Sequence, residues 1–89
     1  MFVLFTLNNE EVAGSEEKRV YRVDADQSDE DYLNELASDF AEEENSLYGI
    51  EAGTDNNGIE VIGYTCVWKI LENMTEAEIL KEYGEILEV

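Results

Sequence analysis

Ser28-Asp29-Glu30-Asp31-Tyr32-Leu33-Asn34-Glu35-Leu36-Ala37-Ser38-Asp39-Phe40-Ala41-Glu42-Glu43-Glu44 carries two patterns at once. Its apolar residues, Tyr32, Leu33, Leu36, Ala37, Phe40 and Ala41, recur at i, i+3 and i+4, the spacing of one buried stripe on an α-helix. Its opening, Ser28-Asp29-Glu30-Asp31, resembles a capping box with Asp in place of the usual Glu or Gln. Acids in the first turn suit the helix dipole. The spacing predicts a helix over 29–44. The rest of the stretch is acid: Asp29, Glu30, Asp31, Glu35, Asp39, Glu42, Glu43 and Glu44. With the apolar stripe facing inward, these eight carboxylates are expected to point largely to water.

Outward from this helix the chain reads as strands. Phe2 to Leu7 is a run of β-branched and aromatic residues. Asn8-Asn9 and Ala13-Gly14-Ser15 mark the loop or loose hairpin tip that follows. Lys18 to Val23 alternate, with Val20 and Arg22 on one face and Arg19, Tyr21 and Val23 on the other. Lys18, Arg19 and Arg22 are most of the positive charge and are expected to pair with carboxylates inside the fold. Leu47 to Gly53 reads as loop or short strand, and Thr54-Asp55-Asn56-Asn57-Gly58 as a turn.

Ile59 to Leu71 is a long β-prone run in which Gly63 marks a bulge or bend. Ile62, Tyr64, Cys66, Trp68 and Ile70 share one face; Ile59, Val61, Thr65 and Val67 share the other. A strand apolar on both faces is expected at the centre of its sheet. Thr75-Glu76-Ala77-Glu78 is a capping box, with Met74 and Ile79 placed as a hydrophobic staple. The helix it opens ends near Tyr83, with Gly84 as C-cap. Glu85 to Val89 reads as a closing strand or a helical tail. The order suggests a weak ββα duplication without residue identity between halves. The expected architecture is α+β: one domain over residues 1–89, an antiparallel sheet of three to five strands, and helices packed against one face.

Composition narrows the function. The 89 residues hold 23 Asp and Glu against five Lys and Arg, with no His, for a formal net charge of -18. A designed soluble domain of this size would carry a net charge of magnitude about 2–8. Such an excess repels itself in the compact state. High charge is also the signature of disorder, but 44% of residues are hydrophobic and come in ordered runs, which favours a fold. Salt adaptation is disfavoured by 17 Glu against six Asp and by abundant Ile.

Cys66 is the single cysteine, so no intrachain disulfide forms and a reducing compartment fits. Without His to activate it, Cys66 is expected to act as a small buried hydrophobe. Zinc sites need Cys or His clusters. Asp24, Asp26, Ser28 and Glu35 fall on ligand places of a calcium-loop template, but Asp29 stands where that loop requires Gly, and a strand leads into it. No phosphate loop or distinguishable pair of catalytic carboxylates is present, so neither an enzyme nor a cofactor or metal is expected. The N-terminal apolar run is too short for a leader, no stretch is long enough to span a membrane, and anionic lipid would repel the surface. A cytoplasmic protein is expected.

Eight charges on a helix about 24 Å long average one per roughly 3 Å. A single DNA strand carries one per 3.4 Å. Lys/Arg grooves built for phosphate also accept carboxylate. A charge run on a helix is ordinarily a solvated face balanced by i, i+4 Lys partners, but no Lys or Arg occurs between Val23 and Lys69. In size, acidity and α+β pattern, the whole chain resembles the small acidic phage proteins that block host defence by nucleic-acid mimicry. These include anti-CRISPR proteins and anti-restriction DNA mimics. The resemblance implies a non-enzymatic inhibitor, monomeric or homodimeric, in an infected host cell. It would occupy a basic DNA- or guide-RNA-binding groove of a nuclease complex, binding neither nucleic acid nor membrane itself. The helix acids would make the contacts, with Tyr48 as an aromatic anchor or packed under the following turn.

Two readings compete. One is a structural or assembly module docking through Leu47, Tyr48, Ile50, Ile86, Leu87 and Val89, with acidity serving solubility alone. The other is an immunity protein against a toxin nuclease.

Overall fold

The computed structural model describes residues 1–54 and 56–89. The turn expected at Thr54 to Gly58 contains Asp55, which lies outside the described residues. Strand β1 (Phe2–Asn8) pairs antiparallel with β2 (Glu17–Arg22) on one side and with β5 (Thr65–Ile70) on the other. The short β6 (Leu87–Glu88) joins β2 in parallel, giving the order β5-β1-β2-β6. Helix α1 (Glu30–Leu47) and helix α2 (Glu76–Tyr83) complete the α+β domain. A separate two-stranded ribbon, β3 (Gly53–Thr54) with β4 (Glu60–Val61), follows α1.

The centre of the sheet is β1, whose Val3, Leu4, Phe5 and Leu7 are all buried. Successive side chains of a strand point to opposite faces. Val3 and Phe5 therefore meet Leu33 and Ala37 of α1, together with Val23. On the other face, Leu4 and Val20 meet Ile79 of α2, with Phe2, Leu71, Met74, Tyr83 and Ile86 around them. The helices thus cover opposite faces of the sheet, not the single face expected. The aromatic hub on the α1 side is Phe5, set edge-on to both Tyr21 and Phe40, whose rings stack at 4.8 Å. Such pairs add about 0.5–1.5 kcal/mol beyond area burial.

Local signals for α2 hold in detail. Thr75 accepts from the Glu78 amide while the Glu78 side chain accepts from the Thr75 amide. Met74 packs with Ile79 as the staple requires. Gly84 ends the helix at φ +90°, a left-handed conformation that side-chain-bearing residues adopt at a cost. The tail closes as β6.

Several further expectations are corrected, beginning with the sheet, which is mixed and not antiparallel because β6 runs parallel to β2. The N-cap of α1 is Asp29 without a side-chain hydrogen bond. Ser28 instead donates to the Ala25 carbonyl, closing a 3-10 turn over Ala25–Gln27. The helix then runs three residues beyond 44, to Leu47, because Glu44 continues its buried stripe. The run from Ile59 to Leu71 is two strands, broken where Gly63 lies against Asn45. Its second part, β5, is an edge strand and not a central one: α1 covers its Cys66-Trp68-Ile70 face, whereas Val67 on the other face is exposed.

Candidate acidic interface

The α1 helix is anchored to the sheet from both flanks, and those anchors fix which carboxylates face water. On the β5 flank, the Trp68 indole N–H donates to Asn34 Oδ1 at 2.7 Å. The Tyr64 amide donates to Asn45 Oδ1, also at 2.7 Å. On the β2 flank, Arg19 Nη2 donates to Glu44 Oε1 at 2.6 Å. At 100° per residue these contacts leave Asp31, Glu35, Asp39, Glu42 and Glu43 along the outer surface. All five are exposed, as are Asp29 and Glu30 in the first turn.

Glu44 departs from the expectation. Only 7% of it is exposed, and Arg19 holds its carboxylate. It follows Leu33, Ala37 and Phe40 at helical spacing, so it belongs to the inward stripe. Burial of a carboxylate in so acidic a chain requires a cation, and Arg19 supplies it. The same guanidinium grips Glu17 through two bonds of 3.1 and 2.9 Å. The Glu17 hydrogen bond, opposed by partial desolvation and aided by Glu44, holds Arg19 above its already high range. Glu44 is a structural acid and leaves the candidate contact set.

The other paired cations also serve the fold, as the sequence suggests. Arg22 bridges Glu76 of α2 at 2.7 Å and Glu88 of β6 at 3.2 Å. It also lies over the Phe2 ring, 5.0 Å from its centroid. Lys18 pairs with Glu16. Among the described residues, none of Asp29, Glu30, Asp31, Glu35, Asp39, Glu42 or Glu43 has a cation within ion-pair distance. The outer face of α1 is thus a row of unbalanced carboxylates while both arginines are held elsewhere.

Tyr48 lies at the C-terminal end of that row, exposed, with its ring stacked on Tyr64 at 5.7 Å and 20°. It is not packed beneath the following turn. Leu47 beside it is also exposed. From the apolar-docking set, Ile86 instead packs in the α2-side core, while Val89 is exposed.

Asn45 is a positioning residue that sequence reasoning missed. Its carbonyl oxygen holds Tyr64 under Tyr48, and its side chain fills the space a Cβ on Gly63 would need. The signal was an Asn beside a buried stripe, with a glycine later in the β-prone run.

Cys66 packs against the α1-side core, and burial pushes its thiol up to about 11. A thiol so raised is protonated at neutral pH and a poor nucleophile. Among the described residues, no three Cys, Asp or Glu gather closely enough to hold a metal ion. Among the described residues, no helix is long and apolar enough to cross a membrane. No protein-family model, curated protein or solved structure matches the chain.

Proposed function

We propose that this protein is a non-enzymatic inhibitor that mimics nucleic acid and occupies a basic DNA- or RNA-binding groove of a nuclease or CRISPR effector complex. The observation that carries the reading is the outer face of α1, where five exposed carboxylates lie without a balancing cation. From Asp31 to Glu43 that row spans about 18 Å at 1.5 Å per residue. Its mean spacing is about 4–5 Å, close to the 3.4 Å of phosphates along one DNA strand. A rigid helix supported on both flanks presents these charges without the ordering cost of a flexible acidic tail. The Tyr48–Tyr64 stack at the end of the row offers aromatic faces beside the charges, as bases lie beside phosphates.

The test is displacement of labelled DNA from CRISPR and restriction nuclease complexes at two salt concentrations. Stoichiometric displacement from one complex, weaker at high salt, supports the reading, because screening removes the steering between opposite charges. No displacement from any complex at low salt counts against it. The exposed Leu47 and Tyr48 favour a second reading, a module that docks through apolar surface; its binding would persist at high salt.

A further inference from the structure

We propose that the outer edge of β5 accepts an extended, Lys- or Arg-bearing segment of the partner protein as an added strand. The inference rests on the partner being a basic protein, and not on its groove being one for nucleic acid.

The direction of the free backbone groups follows from the ladder. Met1 exchanges hydrogen bonds with Val23, and the Leu71 amide donates to the Phe2 carbonyl. The odd residues of β1 therefore bond to β2, and the even ones to β5. Within β5, Thr65, Val67 and Lys69 face β1, while Cys66, Trp68 and Ile70 turn their N–H and C=O groups to the open edge. Among the described residues nothing accepts from or donates to those groups. An edge of this kind is a template for another strand, and proteins usually guard it with charges, bulges or proline. The β5 sequence has no proline and one charge, Lys69.

The surroundings select the occupant. Asn34 and Asn45 mark the side of α1 that faces β5. Asp31 and Glu42 lie three residues from them on the neighbouring rows, with Glu35 alongside, so carboxylates flank the edge on its α1 side. On the other side stand Val67, 64% exposed, and Lys69. A strand alternates its side chains every 3.4 Å. The added strand that fits carries basic residues at alternate positions toward α1 and uncharged ones beside Val67. A second copy of this chain is the poorer occupant: pairing β5 with β5 would bring two such carboxylate rows together on chains of net charge -18 each.

The experiment uses the ¹⁵N-labelled full chain and two capped decapeptides of five Lys-Thr repeats. One peptide is unmodified; the other is N-methylated at every residue so that neither of its edges can form a ladder. The unmodified peptide is expected to slow amide exchange at Cys66, Trp68 and Ile70 at least tenfold, and to bind at least tenfold more tightly. Equal binding of both peptides, with shifts confined to α1, would overturn strand addition and leave a basic partner standing. Binding of neither at low salt would overturn both. Protection of the same three amides that grows with protein concentration alone would assign the edge to a second copy and overturn the proposal.

Discussion

Replacing Arg19 with Met isolates the one acid of α1 that the fold itself uses. The substitution keeps the aliphatic bulk beside the helix and removes the cation that holds Glu44. Removing one partner of a buried ion pair costs about 3–5 kcal/mol, because the remaining charge is left uncompensated. Arg19 keeps 22% side-chain exposure and Glu44 9%, so partial access to water places the effect near the lower limit, at about 3 kcal/mol. The bond from Arg19 to the more exposed Glu17 adds a few tenths at most. A domain of this size has a total stability of only about 4–13 kcal/mol. The loss should appear as a fall in Tm of roughly 12–20 °C.

Glu44→Gln leaves an amide oxygen that still accepts from Arg19 and should cost about 1–2 kcal/mol. Arg19→Met combined with Glu44→Leu leaves no buried charge and should lie closer to the parent than Arg19→Met alone. Urea titration at pH 7, followed by Trp68 fluorescence and far-UV circular dichroism, measures these variants together with Glu44→Leu alone, which closes the cycle of parent, Arg19→Met, Glu44→Leu and the double variant. A loss below about 1 kcal/mol for Arg19→Met, or additive single effects, would refute the assignment of Glu44 to the core.

Other consequences are open to simpler measurements. The Thr75 amide and hydroxyl, which bond to Glu78, hold its carboxyl below the usual range. Its contribution to stability is therefore present above the unfolded-state value and lost as pH falls through the folded one; acid titration of Thr75→Ala should show a shallower loss than the parent. At neutral pH that substitution should cost about 1 kcal/mol by thermal melting. For Cys66 the sign is opposite: its folded value, about 11, lies above the ordinary thiol value of 9.0, so stability is full below 9 and falls as pH rises toward 11. Comparison with Cys66→Ala isolates that fall, and iodoacetamide should label the folded chain slowly at pH 8. Gly63→Ala would place a Cβ 2.8 Å from both polar atoms of the Asn45 side chain. It should displace Asn45 from the Tyr64 amide and destabilise by about 1–3 kcal/mol, with loss of protection at that amide in hydrogen exchange.

The parts of this fold that are legible in the sequence are those governed by neighbours in the chain. The capping box at Thr75, the staple of Met74 on Ile79 and the alternation of Val20 and Arg22 against Arg19, Tyr21 and Val23 need no tertiary information. The two helix faces and the sheet order depend on which strand lies in the middle. The β5 run looked central because both its faces are apolar, but β1 is shorter on ambiguity: Val3, Leu4, Phe5 and Leu7 are buried and demand cover from both sides. That demand is met by α1 on one face and α2 on the other, with β5 at the edge. Charge alone puts Glu44 on the outer face with its neighbours. Its position after Leu33, Ala37 and Phe40 marked it as inward, and Arg19, on the helix-facing side of β2, was available to receive it. Asn34 and Asn45 are marked in the sequence only as polar residues beside a buried stripe; their partners lie 34 and 19 residues away, beyond the reach of local pattern.

The central claim is that the outer face of α1 is the contact surface. It is tested most directly by neutralising that face alone, as Asp31→Asn, Glu35→Gln, Asp39→Asn, Glu42→Gln and Glu43→Gln, with Glu44 kept. These side chains are exposed and unpaired, so the variant should melt at or above the parent's temperature as self-repulsion falls. Side by side with the parent, it should lose displacement of labelled DNA from the target complex and most of the salt dependence of binding. Full, salt-sensitive displacement by the folded variant would contradict the account.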